Sequence, residues 1–233
     1  PSVIYEYDLS AQPIKVTKKV KASENEYLTT YQFFDGLGRV IEAKSPAEAA
    51  PQTGQPRQII SEIVKYDSRG QVSEKYLPYF VETSANYVTP TYETYHSSFD
   101  YDPIGRITQT TNPDLTYSNI NYSDWVTTTT DENGHRKTQY QNAYAQITKV
   151  EEYSGADGRS PNYPYQAYSL YATTLYEYDT LGNLTQITDN QGNITQIIYD
   201  SLGRKLQMND PDMGLWTYEY DDVGNLKKQT DAK

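Results

Sequence analysis

The feature that most limits what this chain can fold into is a clock. Tyr178-Asp179-x-x-Gly182, Tyr199-Asp200-x-x-Gly203 and Tyr220-Asp221-x-x-Gly224 place their tyrosines 21 residues apart, twice in succession. The same five-residue signature recurs from Tyr66-Asp67 to Gly70 and from Tyr101-Asp102 to Gly105. Phe34-Asp35 to Gly38 is a copy with Phe in place of Tyr. Tyr7-Asp8-Leu9-Ser10-Ala11 reads as a degraded copy, and Tyr140-Gln141-Asn142-Ala143-Tyr144 is a further candidate. A fixed period of this kind marks one supersecondary unit used repeatedly, so repetition organises the reading.

A second turn signal lies between the regular copies. Asp189-Asn190-Gln191-Gly192 and Pro211-Asp212-Met213-Gly214 fall midway, so glycines stand at 182, 192, 203, 214 and 224. A turn every ten or eleven residues leaves strands of about six or seven residues, the pattern of consecutive antiparallel hairpins. Asp at the first turn position accepts from a backbone amide two residues on. Glycine at the fourth takes the left-handed conformation and closes a three-residue loop with a bulge. Leu175-Tyr176-Glu177-Tyr178 and Thr217-Tyr218-Glu219-Tyr220 alternate ring and acid, as a strand with two different faces does. The strand leaving a turn carries an apolar residue two after glycine, as at Val40, Val72, Ile107, Leu184 and Leu226. In the Gly203 copy that residue slips to Leu206, which predicts a different bulge there. No 3.6-residue stripe appears. The fold class expected is all-β: antiparallel hairpin repeats forming a curved, spiralling sheet. Residues 1–233 read as one repeat array, irregular and loop-inserted over 1–174 and regular over 175–230. Ser45–Pro56, Phe80–Thr94 (with Pro90) and Glu152–Gln166 break the period and read as loops.

Composition agrees with extended surfaces rather than one oily core. Apolar residues make up 36% of the chain, and 25 tyrosines stand where aliphatic residues are sparse. A net charge of −11 argues against nucleic acid and against anionic membrane surfaces, both of which reward Lys and Arg. No apolar run has the roughly 18 residues of a membrane helix. The chain has no cysteine, hence no disulfide framework, thiolate nucleophile or Cys-based metal site. Pro1 opens in mid-pattern, as a piece of a longer chain would, so the lack of a signal peptide says nothing about export.

Sites of chemistry are weighed against construction. Asp179, Asp200 and Asp221 would serve as general acids or bases only if their oxygens were free, and the turn occupies them. His96 and His135 are the two histidines. His135 follows Asn133-Gly134 and is expected to point from a turn into water. Neither sits near a nucleophile-elbow sequence. Asp210-Pro211-Asp212-Met213-Gly214 resembles a calcium loop faintly, but Trp216 and Thr217 follow where an acidic ligand is needed. No catalytic, cofactor or metal residue is assigned. Tyr153, Tyr163, Tyr165, Tyr168 and Tyr171 crowd a Pro/Gly-rich stretch and form the candidate ligand patch, since amphipathic rings stack on sugars as well as on neighbouring strands.

Tyr-Asp-x-x-Gly-[Arg/Asn] on this period resembles the bacterial RHS/YD-repeat family, over nearly the whole chain. Lys75-Tyr76-Leu77-Pro78-Tyr79-Phe80 and Asn209-Asp210-Pro211-Asp212-Met213-Gly214-Leu215-Trp216-Thr217-Tyr218 are similar to its Tc-toxin and SpvB branch. The resemblance implies a β-sheet that spirals into a hollow shell around a toxic C-terminal polypeptide, in a secreted or bacterial cell-surface protein. The family's self-cleaving core and variable tail are not seen, so the chain reads as a section of wall. Its expected partners are the remainder of the same protein and the enclosed polypeptide. The alternative is an adhesion module that recognises glycans or a cell-surface protein; a hydrolase using His96 is the third reading. Exposed sheet edges predict self-association at high concentration.

Overall fold

Thr, Tyr, Ile and Val fill the stretches between turns, and these residues fit a pleated, half-buried surface. A computed structural model describes residues 2–24, 26–89 and 95–232, and there is no helix among them. Pro90, within the period-breaking stretch Phe80–Thr94, lies outside the described residues. The chain divides into two units, Pro1–Tyr117 and Ser118–Lys233.

The first unit contains β1 (Val3–Asp8), β2 (Ile14–Lys21), β3 (Tyr27–Phe34), β4 (Val40–Ala47), β5 (Arg57–Ser61), β6 (Val64–Tyr66), β7 (Val72–Tyr76), β8 (Tyr79–Glu82), β9 (His96–Tyr101) and β10 (Ile107–Thr111). Six of them form one antiparallel sheet in the order β1-β2-β3-β4-β5-β8, and the other four pair as β6-β7-β9-β10. Ile60, Ile63 and Tyr76 are buried together, with Tyr79, Val81 and Val88 packed against them. β4 also buries a charge pair that the Glu-Ala-Lys alternation places on one face. Glu42 and Lys44 are fully buried with 3.5 Å between Oε1 and Nζ. The Lys44 ammonium donates to the Asn86 carbonyl and lies 5.6 Å from the Phe33 ring centroid. Glu42 accepts from the Val88 amide at 3.3 Å. Loss of water pushes the Glu42 carboxyl up and the Lys44 ammonium down. Removing either partner would leave the other charge buried and unpaired, at a cost of about 3–5 kcal/mol.

The second unit contains β11 (Tyr117–Ser123), β12 (Val126–Thr130), β13 (Arg136–Gln141), β14 (Ile147–Ala156), β15 (Gln166–Tyr178), β16 (Leu184–Thr188), β17 (Ile194–Tyr199), β18 (Lys205–Asp210), β19 (Gly214–Tyr220) and β20 (Leu226–Thr230). Each pairs with the next in sequence, all antiparallel. Its buried hydrophobic residues are Val150, Ala156 and Ile197, a small set for ten strands. The strands alternate instead: on β19, Trp216, Tyr218 and Tyr220 are half-buried while Leu215, Thr217 and Glu219 are exposed. Hydrogen-bonded ladders and half-buried rings hold this sheet together.

Three loop expectations need correction. β4 continues through Ala47, so the loop expected from Ser45 begins three residues later. β14 runs to Ala156 and β15 starts at Gln166, with Glu152 opposite Ala172 and Tyr153 opposite Leu170. Glu152–Ala156 are therefore strand, because β15 at 13 residues is long enough to pair with them despite Gly155. Phe80 likewise lies in β8.

Candidate functional site

The turns are closed by one set of bonds. The Asp179 amide donates to the Asn183 carbonyl at 2.9 Å, and the Gly182 amide donates to the Asp179 carbonyl at 3.1 Å. Asp179 Oδ1 accepts from the amides of Leu181 at 2.9 Å and Asn183 at 2.8 Å. The same arrangement closes the turns at Asp35, Asp67, Asp102, Asp200 and Asp221. Gly38, Gly70, Gly105, Gly182, Gly203 and Gly224 all have positive φ, from 75° to 92°. The Asn183 side-chain amide, then the backbone amides, hold the Asp179 carboxyl below its ordinary value. Backbone and side-chain donors of Arg204 do the same for Asp200. These carboxylates are held ionised with their oxygens occupied, the opposite of what a general acid requires.

The copy near Tyr140 has a different frame from the one its tyrosines suggest. Asn142 takes the Asp position, accepting from the amides of Tyr144 at 3.0 Å and Gln146 at 3.1 Å. Ala145 takes the glycine position at φ 60°. The acceptor side chain sets the frame, and Gln141 stands where the other copies have Tyr.

Each Tyr-Asp turn is followed by a second irregularity. Tyr178 pairs with Leu184 and Glu177 with Gln186, so Thr185 is left out of the ladder. Thr108, Ser73 and Lys227 are left out in the same place of their own copies. The Gly203 copy, expected to differ, does not: Tyr199 pairs with Lys205, Ile198 with Gln207, and Leu206 is the omitted residue. Lys205 occupies the Leu184 position because the bulge is fixed by distance from the turn, not by side-chain polarity.

The tyrosine of the motif is explained by what happens next. Pairing between consecutive hairpins stops short of the Tyr-Asp edge, at Glu74–Ser98 for β7/β9, Lys149–Leu175 for β14/β15 and Gln207–Thr217 for β18/β19. Beyond these points the strands exchange no ladder bonds, and the next tyrosine bridges them. Tyr101 donates its hydroxyl to the Val72 carbonyl at 2.8 Å, Tyr178 to Ile147 at 2.9 Å and Tyr220 to Lys205 at 2.8 Å. In each case the acceptor lies two residues after the left-handed residue of the preceding turn. Each bond contributes about 0.5–1.5 kcal/mol and satisfies a carbonyl that the open ladder leaves without a strand partner. Burial raises the phenol pKa of Tyr101 and Tyr178, which keeps the donor protonated.

A second ladder runs along the turns themselves. The residue after the left-handed position reaches the glycine carbonyl of the following turn: Arg39 Nη1 to Gly70 at 3.0 Å, Gln71 Nε2 to Gly105 at 3.1 Å and, after Ala145, Gln146 Nε2 to Gly182 at 3.3 Å. Arg39, Arg106 and Arg204 also pair with the carboxylate of their own turn. A Cβ on Gly105 would stand 2.9 Å from Gln71 Nε2, the movable end of a flexible side chain, so it is the φ of 91° that calls for glycine there. The role of this position, and of the tyrosine hydroxyl, went unread in the sequence. The recurrence of Arg, Asn or Gln after glycine was its one visible signal.

The tyrosine patch divides. Tyr163 and Tyr165 line a groove of about 460 Å³ with His135, Ser154, Asn162 and Gln166. Tyr153, Tyr168 and Tyr171 do not line it. Tyr153 donates to Glu151 at 2.7 Å, and Tyr168 donates to the Gly134 carbonyl at 2.6 Å beneath the Arg136 guanidinium. Tyr171 is exposed on β15. His135 does not simply point into water: its ring meets Tyr163 edge-on at 4.6 Å, and Nδ1 lies 3.2 Å from Asp131 Oδ2. His96 stacks on Tyr76 at 4.7 Å. Asp210 accepts from the Thr195 hydroxyl at 2.7 Å and from the amides of Asp212 and Met213, so its oxygens are occupied by a turn.

Comparison with known proteins matches residues 178–213, which span two of these turns and two bulges, to the RHS repeat. The chain carries an RHS repeat. Residues 10–124 of this RHS chain match a domain of unknown function, DUF6443. Its fold is that of solved Tc-toxin structures. A crystal structure of TcdB2-TccC3-Cdc42 matches 94% of the RHS chain with a TM-score of 0.77 at 19% identity. One of TcdB2-TccC3 matches 100% with a TM-score of 0.67 at 18% identity. The Tc holotoxin pore of Photorhabdus luminescens matches 95% with a TM-score of 0.60 at 17% identity. The RHS chain spans 12%, 14% and 13% of those three chains respectively. No curated protein sequence matches it.

Proposed function

We propose that this chain is a length of β-wall in a secreted or cell-surface bacterial toxin-like protein, and that the wall helps to enclose a toxic polypeptide. The observation that carries the reading is the tyrosine bridge between copies. Tyr101, Tyr178 and Tyr220 each fasten one hairpin to the hairpin before it where the strands no longer pair. Such a device closes gaps in a continuous sheet and has no use in an isolated hairpin. Likeness in fold to TcdB2-TccC3 supports the same reading. Half-buried tyrosines and threonines would offer an enclosed chain a wettable surface without a deep apolar site to grip it. The partners are the rest of the same protein and its cargo. Limited proteolysis of the full reading frame tests this. A cargo that resists protease, and becomes sensitive when Gly182→Val opens the wall, is expected; a cargo cleaved equally in both rejects enclosure.

The groove beside Tyr163 and Tyr165 favours a second reading, an adhesion surface for glycans. Two exposed rings beside the amides of Asn162 and Gln166 suit a sugar's apolar face and its hydroxyls. Saturable binding on a glycan array, lost in a Tyr163→Ala/Tyr165→Ala variant, would establish recognition. An array without signal dismisses it and leaves the wall reading untouched.

A further inference from the structure

The two sheets of the first unit share no ladder among the described residues: β5 pairs with β8, and β6 begins the other sheet. The seam between them is covered by 84–88, a stretch of the β8–β9 connection that is neither helix nor strand. Val88 packs on the cluster formed by Ile60 of β5, Ile63 of the β5–β6 link and Tyr76 of β7, so its bed is drawn from both sheets. Tyr87 meets the Phe33 ring of β3 edge-on, with centroids 5.7 Å apart.

Side chains hold this stretch by its backbone. The Ser84 amide donates to Gln58 Oε1 at 3.0 Å, Lys44 Nζ donates to the Asn86 carbonyl, and the Val88 amide donates to the Glu42 carboxylate at 3.3 Å. Every second residue is received. The receivers stand on β4 and β5, and Glu42, Lys44 and Gln58 are 0%, 1% and 4% exposed. Among the described residues no backbone group partners 84–88. An apolar bed would grip the stretch more tightly, because a buried ion pair loses more on desolvation than packed apolar groups of the same volume. Polar receivers behave differently when the stretch lifts. Glu42, Lys44 and Gln58 then regain water, and the penalty of burying them is relieved. Lifting is easier than it would be over an apolar surface.

We propose that 84–88 is a releasable strap, which opens and closes as one unit over the seam while both sheets stay folded, and that the Glu42–Lys44 pair keeps its opening easy. Segments with few apolar contacts and no ladder are the ones that open locally. In a wall of the kind proposed above, the seam is where the two sheets would part. The strap itself does not rest on that reading, and its test needs no cargo.

Amide hydrogen exchange of the 233-residue chain, read by NMR along a urea series below the unfolding transition, tests the proposal. The Ser84 and Val88 amides should show protection factors within about threefold of each other and at least about a hundredfold below those of the β4 and β5 ladder amides. Their exchange should be nearly independent of urea, since lifting a strap exposes little surface. Exchange in step with the ladder, with its steep urea dependence, overturns the proposal, and so does a wider gap between Ser84 and Val88. Glu42→Gln/Lys44→Met gives a second measurement. It keeps an acceptor for the Val88 amide and removes both charges. Protection of Ser84, whose bond is to Gln58, should rise about tenfold. Unchanged or lower protection there overturns the proposal as well. The urea series on the parent chain decides the matter even where the double variant does not fold.

Discussion

The two ends of the strands in the second unit use the same turn for different purposes. At Asp179–Gly182 and at Asp189–Gly192 the backbone bonds, carboxylate bonds and left-handed glycine are alike. After Gly182 the ladder skips Thr185, whereas after Gly192 it runs on without a break from Thr188–Ile194 to Gln186–Gln196. Asp131–Gly134 also runs on unbroken. What differs is the residue before the acid: Tyr178 in one case, Thr188 and Thr130 in the others. Asp and Gly make the turn. Tyrosine belongs to the joint between hairpins, filling and capping a place where the sheet has come apart.

That division predicts unequal costs for matched substitutions. The largest contrast is Tyr178→Ala against Thr188→Ala. The first removes a half-buried ring and leaves the Ile147 carbonyl without its donor, about 3 kcal/mol in urea unfolding. The second removes a partly exposed side chain from a ladder that stays intact, under about 1 kcal/mol. Equal costs would break the comparison. Gly182→Ala against Gly192→Ala comes next. Both force a left-handed backbone on alanine, about 1–2 kcal/mol. At Gly182 the new Cβ would also stand 3.2 Å from Gln146 Nε2 and push it off the Gly182 carbonyl, while at Gly192 nothing lies within 4 Å. A surplus of about 1 kcal/mol at Gly182 is expected, and double-mutant cycles with Gln146→Ala should erase it. Tyr220→Phe is smaller: it keeps the ring and deletes the bond to Lys205, about 1 kcal/mol. A neutral result would mean that the ring alone closes the joint.

The turns were legible because they are local. Asp179 and Gly182 stand three apart, and their conformations follow from side-chain length and the missing Cβ. The joint was not, because Tyr178 meets Ile147 across 31 residues and Gln146 meets Gly182 across 36. Nothing in a single copy says which neighbour its tyrosine touches. The Tyr140 copy was read in the wrong frame for a related reason: tyrosine is the more conspicuous residue, but Asn142 is the one that closes the turn. In the first unit the alternation Glu42-Ala43-Lys44 shows a shared face and gives no sign that the face is buried. The tyrosine patch illustrates the same limit. Tyr163, Tyr165, Tyr168 and Tyr171 are close in sequence, yet entry into β15 at Gln166 sends Tyr168 beneath Arg136 and Tyr171 outward, away from the groove.

The smallest contrast expected is in acid, where the two classes of turn should behave alike. The Asn183 and Asn193 side chains, together with backbone amides, hold the Asp179 and Asp189 carboxyls below the ordinary 3.8. A carboxyl depressed in the folded chain stabilises it fully above the unfolded value, and that stabilisation disappears as pH falls through the folded one. The second unit should therefore hold its stability down to about pH 4 and lose it below. Glu42 in the first unit runs the other way. Burial raises its carboxyl above 4.5, so its penalty is relieved as pH falls. Carbon-detected NMR titration of the aspartate carboxyls separates these contributions residue by residue. Both Asp179 and Asp189 should titrate below 3.8, since closure is common to the two edges. If Asp189 alone titrated at the ordinary value, the midway turn would not be closed by its carboxylate, and the claim that one turn serves two purposes would fail.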